Sequence, residues 1–368
     1  MEPGRLRGGL GMNDLRYGVI GAGMMGLEHM RNLRLLEGVR VTAVADPHAA
    51  SRAWASLAAQ EAGDPISLYA QPREMLAREA LDAVIVSTPN ATHASILQPI
   101  LETDLHVLVE KPLCTTLDDA RRTVEAADRH GGVFWVGMEY RYMPPVARLL
   151  EELRAGAVGR LRMLAIREHR MPFLPKVGDW NRFAIQTGGT LVEKCCHFFD
   201  LMRLLTNEEP VRIYASAGQD VNHLDECYDG RVPDILDNAF TIVDFDGGAR
   251  ALLDLCMFAE GSRNREEIAA TGDAGKLECF IPDSTLVIGK RNPRSIESRP
   301  IPVEQRILEA GFHHGSTYYQ HVRFQRAIRE GGAAEVSAHD GMLAVAMGVA
   351  AERSAATGHP VEMRELGF

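Results

Sequence analysis

The sequence predicts an α/β protein. Its N-terminal domain should be a parallel sheet with helices on both faces, and its C-terminal domain should mix strands and helices. Three observations predict it. At 368 residues the chain is longer than one ordinary domain and suits two. Through residue 140, short apolar runs alternate with amphipathic stretches, the pattern of successive strand–helix units. The first run, residues 16–20, leads at once into Gly21-Ala22-Gly23-Met24-Met25-Gly26, a G-x-G-x-x-G spacing between a strand and a helix.

Composition narrows the function classes. Hydrophobic residues make up 46% and charged residues 24%, enough to build full cores. A formal charge of −10 argues against a nucleic-acid or anionic-membrane surface. No apolar run reaches the ~20 residues of a membrane-spanning helix. Residues 1–15 lack the apolar stretch of a signal peptide and read as an N-terminal extension, with Met12 an alternative start. Six cysteines without a Cys-x-x-Cys fit reduced thiols, so a cytoplasmic location is expected.

In the glycine turn the first glycine permits the reversal and the second lets a pyrophosphate approach the backbone. The third lets helix and strand pack closely. Met24 and Met25 open the helix whose free N–H groups would face the phosphates. Residues 39–45 form a second strand ending at Asp46, twenty residues after Gly26, where a carboxylate would hold an adenosine ribose. That acid favours NAD over NADP because it would repel a 2′-phosphate; Arg52 in the next helix leaves NADP open.

A helix containing Trp54, a strand at 66–69 and a helix at 71–79 follow. The strand at 83–87 ends in Ser87-Thr88-Pro89-Asn90-Ala91-Thr92-His93. Small polar residues at a strand's carboxyl end are where an open parallel sheet presents ligand contacts. Ser87, Thr88, Pro89, Asn90 and His93 are therefore cofactor candidates, although His93 serves equally well to begin the next helix. The fifth strand, 106–109, runs into Glu110-Lys111-Pro112, and Lys111 either points into the same crevice or is a solvated strand-end lysine. A helix at 116–130 and a sixth strand at 133–136 complete a dinucleotide-binding domain of residues 16–140. Arg141 either joins the cofactor crevice or neutralises a local acid.

Residues 141–368 read as one further domain. A strand at 161–170 ends in His169-Arg170. The stretch from Gly188 to Asp200 carries the chemistry: a Gly-Gly break, Thr190 where an N-cap should stand, then an amphipathic helix. On one continuous helix Glu193, His197 and Asp200 share a face. A carboxylate one turn before an imidazole can orient the ring and stabilise its protonated form. Thr190-x-x-Glu193 is equally a capping box. Cys195-Cys196 beside His197 has the wrong spacing for a closed zinc site, so no metal is expected and the thiols should pack as small hydrophobes. Strands are expected at 210–217, 237–244 and 249–258, a surface loop at 220–237, and a hairpin at 268–280. An exposed Arg/Pro-rich segment should span 290–304, and helices 315–330 and 339–357.

With its glycines, the Asn90-Ala91-Thr92-His93 loop, Glu110-Lys111-Pro112 and the acid–histidine–Asp spacing of 193, 197 and 200, the chain resembles the glucose–fructose oxidoreductase/inositol dehydrogenase/MocA family from residue 16 to its end. The resemblance implies a Rossmann domain followed by an α+β domain with a large open mixed sheet that binds substrate and joins copies into a homo-oligomer, dimer or tetramer. It implies NAD-dependent hydride transfer from a secondary ring hydroxyl of a sugar, glycoside or cyclitol. Lys111 would stabilise the developing oxyanion, His197 would act as base, and Glu193 would orient His197. Glu110, Trp180 and Arg182 would lie near the cofactor, and His169, Arg170, His313 and His314 near the substrate. The family usually carries Asp where Glu193 stands and a small residue between it and the histidine, where this chain has Lys194-Cys195-Cys196. Two rival functions remain within the resemblance: an NAD-dependent glycosidase working by transient oxidation, and a non-enzymatic nucleotide or sugar sensor.

Overall fold

The computed structural model describes residues 14–368, which form two sheets. The first is built from β1 (Leu15–Ile20), α1 (Met24–Leu33), β2 (Val39–Ala45), α2 (Ala49–Ala62), β3 (Ser67–Tyr69) and α3 (Pro72–Arg78). It continues with β4 (Ala83–Val86), α4 (His93–Ile100), β5 (His106–Glu110), α5 (Leu117–Ala127) and β6 (Phe134–Gly137). All neighbours are parallel, in the order β3-β2-β1-β4-β5-β6. Every residue of β4 is buried, as a strand covered on both faces requires. The order reverses between β1 and β4, so the glycine turn after β1 and the polar loop after β4 open into one crevice. These six strands are the six that the sequence predicts.

The second sheet follows α6 (Pro144–Arg154) and begins with β7 (Leu161–His169). After α7 (Ala184–Thr187), α8 (Thr190–Glu193) and α9 (Cys196–Thr206) come β8 (Pro210–Gly218), β9 (Asn238–Phe245), β10 (Arg250–Cys256) and β11 (Glu266–Gly272). The chain closes with β12 (Gly275–Ile281), β13 (Thr285–Lys290), β14 (Ser295–Pro300), α10 (Gln305–Leu308), α11 (Ser316–Glu330), α12 (Ala338–Thr357) and β15 (Val361–Glu362). The order is β14-β13-β12-β11-β7-β10-β9-β8-β15, with only β7 and β10 parallel. Burial alternates along these strands, so one face packs on α6, α9 and α12 while Phe240, Ile242, Leu252 and Met163 stand on the exposed face.

Two segments differ from expectation. The sequence predicts no strand at β13, and the 290–304 segment, exposed as expected, contains β14. Nearly every residue of β14 is exposed, so its ladder with β13 defines it rather than an apolar face, and hydrophobic periodicity had nothing to register. The expected N-terminal extension lies, for residues 1–13, outside the described residues. Among the described residues no helix is long and apolar enough to cross a membrane.

Helix α12 ties the sheets together. A Cβ on Gly341 would stand 3.0 Å from Val136 of β6, and one on Gly348 would stand 2.7 Å from the Leu191 carbonyl of α8. Only glycine permits the second approach, which brings the α12 backbone against the α8 turn.

Candidate functional site

The crevice is a cleft of about 760 Å³ running from Asp46, past Gly23 and Asn90, to Lys111 and Glu193. The glycine turn divides its labour as the motif requires. Gly21 has φ +92°, and a Cβ on it would lie 2.6 Å from the Ser87 carbonyl. A Cβ on Gly26 would lie 2.0 Å from the Gly21 carbonyl, whereas one on Gly23 would meet nothing, leaving room for a pyrophosphate above the start of α1. At the far end the Asp46 carboxylate accepts from Ala22 N and His48 N, both at 2.8 Å, and stays on the cleft wall. Arg52 donates to the Asp46 and Pro47 carbonyls at 2.7 and 2.9 Å, so its charge is turned to the backbone. The open cradle at one end and the carboxylate at the other fit a dinucleotide with a free ribose hydroxyl. Met24, Met25, Ser87, Thr88, Pro89, Asn90, Glu110 and Trp180 also line this cleft.

At its inner end two segments meet. Lys111 follows β5, and its Nζ donates to the Glu193 carbonyl at 3.3 Å. Glu110 beside it is held by His29 Nε2 at 2.9 Å, and His29 Nδ1 in turn lies 2.9 Å from His321 Nε2. The expected continuous helix is broken: α8 ends at Glu193, Lys194 and Cys195 intervene, and α9 begins at Cys196. The Cys195 N–H reaches back to the Thr190 carbonyl at 3.4 Å, a widened turn. No capping box forms. Gly189 is the N-cap, and the Thr190 hydroxyl donates to the Leu236 carbonyl at 2.6 Å. Glu193 Oε2 and His197 Nδ1 are both buried without a hydrogen-bond partner, and the expected carboxylate–imidazole bond is absent among the described contacts.

The ring of His197 is held by Tyr140, stacked on it at 4.0 Å between centroids and 6° between planes. Burial holds the His197 pKa well below the ordinary imidazole value, and the charges of Lys111, Lys194, His313 and Arg170 add to the effect. This corrects the expectation of a stabilised imidazolium: the ring is neutral. Burial opposes the charge on Lys111, but Cys196, Glu193, Glu110 and Glu139 outweigh it and raise the lysine's pKa. Burial pushes the Cys196 thiol up to about 12, so it rests as a neutral thiol at neutral pH.

Of the substrate candidates, His313 reaches this region. Its Nδ1 lies 2.9 Å from Glu28 Oε1 and 3.4 Å from Glu139 Oε1, and its ring centroid is 6.3 Å from that of Tyr140. Arg170 lies 3.8 Å from Glu168. His169 is on the opposite face of β7, paired with Asp254 at 3.1 Å, and His314 is turned to Ser284 at 2.9 Å. Three expected cofactor contacts are likewise corrected. His93 is fully buried between the Pro112 and Thr88 carbonyls, at 2.9 and 3.1 Å. Arg141 grips Asp200 with Nε and Nη2 and donates to the Glu335 carbonyl at 2.7 Å. Arg182 is buried against Glu226 at 2.9 Å. Asp200 thus serves Arg141 and not the cleft. Residues the sequence reading missed are Tyr140, Glu168, Glu139 and Lys176, the last with its ammonium 5.0 Å from the Trp180 ring at the cleft roof. Glu168 had a readable signal, for it shares the inward parity of Leu164 and Ile166 on β7.

Comparison with known proteins gives a consistent picture. Residues 15–138 match the NAD-binding Rossmann-fold domain of the Gfo/Idh/MocA oxidoreductase family, and residues 151–363 match its C-terminal alpha/beta domain. The chain is 29% identical to the rhizopine catabolism protein MocA of Rhizobium meliloti over 272 residues, 74% of this chain and 80% of that one. It is 25% identical to the myo-inositol 2-dehydrogenase of Thermotoga maritima over 358 residues, 96% and 99% of the two chains. A levoglucosan dehydrogenase solved with NADH and levoglucosan has the same fold, with a TM-score of 0.81 at 22% identity over 95% of this chain and 99% of that one.

Proposed function

Because the chain belongs to the Gfo/Idh/MocA family and is an NAD-dependent oxidoreductase, we propose that it oxidises a secondary ring hydroxyl of a sugar, glycoside or cyclitol. The observation that carries this reading is the meeting of Lys111 with the Glu193–His197 segment at the inner end of the dinucleotide cleft. NAD, when bound, supplies the hydride acceptor. Lys111 donates to the reacting oxygen and stabilises the charge that develops on it. His197, neutral at rest, takes the hydroxyl proton. Glu193 keeps a carboxylate oxygen unpartnered, able to accept from a neighbouring hydroxyl. A ligand without hydroxyls leaves these buried groups unpaired, a cost that selects polyols over simple alcohols. The names of the relatives, which act on inositol and levoglucosan, agree with that chemistry.

Initial rates with NAD⁺ on scyllo- and myo-inositol, glucose, its methyl glycosides, glucuronate and cyclohexanol test the reading. A neutral polyol should lead the series. A kcat/KM for cyclohexanol comparable to the best polyol overturns it, and sugar release from a glycoside without net NADH would replace it by redox-neutral cleavage.

We also infer that copies of the chain pair through the outer face of the nine-stranded sheet. Tyr214, Ile242, Leu252, Ala165 and Ala269 lie in one cross-strand row, and Tyr214, Ile242 and Leu252 are 40%, 46% and 37% exposed. An apolar row of this length is a self-complementary patch for a two-fold partner. Light scattering should give a dimer or larger, reduced to monomer by Ile242→Glu; a monomeric parent protein refutes it.

A further inference from the structure

Lys194 is buried almost completely in a place where a lysine is costly. Its Nζ lies 2.9 Å from Glu168 Oε1 and donates to Tyr140 Oη at 2.6 Å. The same ammonium stands 4.7 Å from the Tyr140 ring centroid and 5.7 Å from that of Phe198. Tyr140 in turn stacks on His197 and carries Glu266 3.4 Å from its hydroxyl. Lys194 is not among the residues lining the cleft, and its ammonium is held between Glu168 and the ring that stacks on His197.

We propose that Lys194 is a positioning residue: clasped by Glu168, it fixes the Tyr140 ring on which His197 is stacked and keeps positive charge beside that imidazole, so that His197 meets substrate as the neutral base. This rests on the assignment of His197 as base. The groups that act on the imidazole are Lys111 after β5, Lys194 on its own segment, Arg170 after β7 and His313 before α11. Those around Lys194 are Glu168, Glu266, Arg170 and Lys111, with the Tyr140 phenol against it. Burial brings the Lys194 pKa down to about 8 against the pull of Glu168, so the ammonium is present through neutral pH.

The test is a titration of the His197 ring by NMR of ¹³C-histidine-labelled full-length protein, assigned by His197→Ala, beside the pH dependence of kcat/KM for myo-inositol with NAD⁺. Lys194→Met should raise the His197 midpoint, and the acid limb of the rate with it, by about one pH unit, the effect of removing one charge nearby. KM should change less than kcat. Lys194→Arg should restore the midpoint. Should Lys194→Met leave Glu168 too costly to bury, the Lys194→Met/Glu168→Gln pair removes both charges, and a smaller upward shift is expected because the two charges act on the imidazole with opposite signs. A midpoint unmoved in the folded variants overturns the proposal while His197→Ala still abolishes turnover. Full activity in His197→Ala would instead overturn the assignment of the base on which it rests.

Discussion

Lys111 Nζ donates to the backbone carbonyl of Glu193, not to its carboxylate, at 3.3 Å. The lysine of the first domain is thereby anchored to the second by a main-chain atom, and the Glu193 carboxylate is left free for a ligand. Glu193→Gln should therefore leave the His197-controlled acid limb in place and raise KM for the polyol. Losing the acid's charge removes one of the influences that raise the Lys111 pKa, so an alkaline limb set by Lys111 should move to lower pH. Rate profiles in the two variables check this; a shifted acid limb would show that Glu193 acts on His197 after all.

His197→Ala should lower turnover by about 10²–10⁴ with NAD⁺ affinity near normal, because the imidazole is outside the cleft wall. With its pKa well below 6.5, His197 is unprotonated at neutral pH and takes up a proton only as the pH falls well below 6.5, so the parent protein's kcat/KM should fall only there. Fluorescence titration with NADH separates binding from chemistry.

Asp46→Ala should weaken NAD⁺ binding and erode the preference for NAD⁺ over NADP⁺. The carboxylate also organises the Ala22 and His48 N–H groups, so part of the loss will appear for both cofactors. Dissociation constants for the two dinucleotides measure it, and an unchanged ratio would remove Asp46 from cofactor selection.

Arg141→Met should cost stability and not cofactor affinity. It strands Asp200, whose side chain is 1% exposed, as a buried unpaired acid, worth about 3–5 kcal/mol in such cases. Denaturant unfolding and NADH titration on the same sample distinguish this from a role in the crevice.

Glu352 accepts from Leu191 N at 2.8 Å, and burial raises its pKa to about 7. An acid raised in the folded state binds a proton that the unfolded chain has released. Its contribution is therefore present below pH 4.5 and lost as pH rises to about 7. Glu352→Gln should flatten the stability profile across that window, as thermal unfolding at a series of pH values would reveal.

The first sheet was legible because each of its strands is a short apolar run closed by a small or polar residue, and the glycine turn marks where the cleft begins. Lys111 and His197 were legible as chemistry-bearing residues at a strand end and on a helix. The spatial relation of Glu193 to His197 was not, since helical spacing presumes an unbroken helix and the chain breaks at Lys194–Cys195. Arg141, His93 and Arg182 were misplaced for a related reason. Their partners Asp200, Pro112 and Glu226 are fixed by tertiary contacts that no local pattern encodes. Tyr140 went unseen because a stacked ring leaves no periodic trace.

The two glycines of α12 set a fixed distance. Gly341 rests against β6 and Gly348 against the α8 turn, seven residues or about 10.5 Å along one straight element. A helix does not lengthen, so the gap between the jaw that carries Lys111 and the jaw that carries Glu193 is gauged like the opening of a locked caliper. Opening the cleft as a hinge would prise those glycine contacts apart. Pro175, Lys176, Val177 and Trp180 line the cleft between these jaws, and a larger residue at Gly348 would reset the caliper itself.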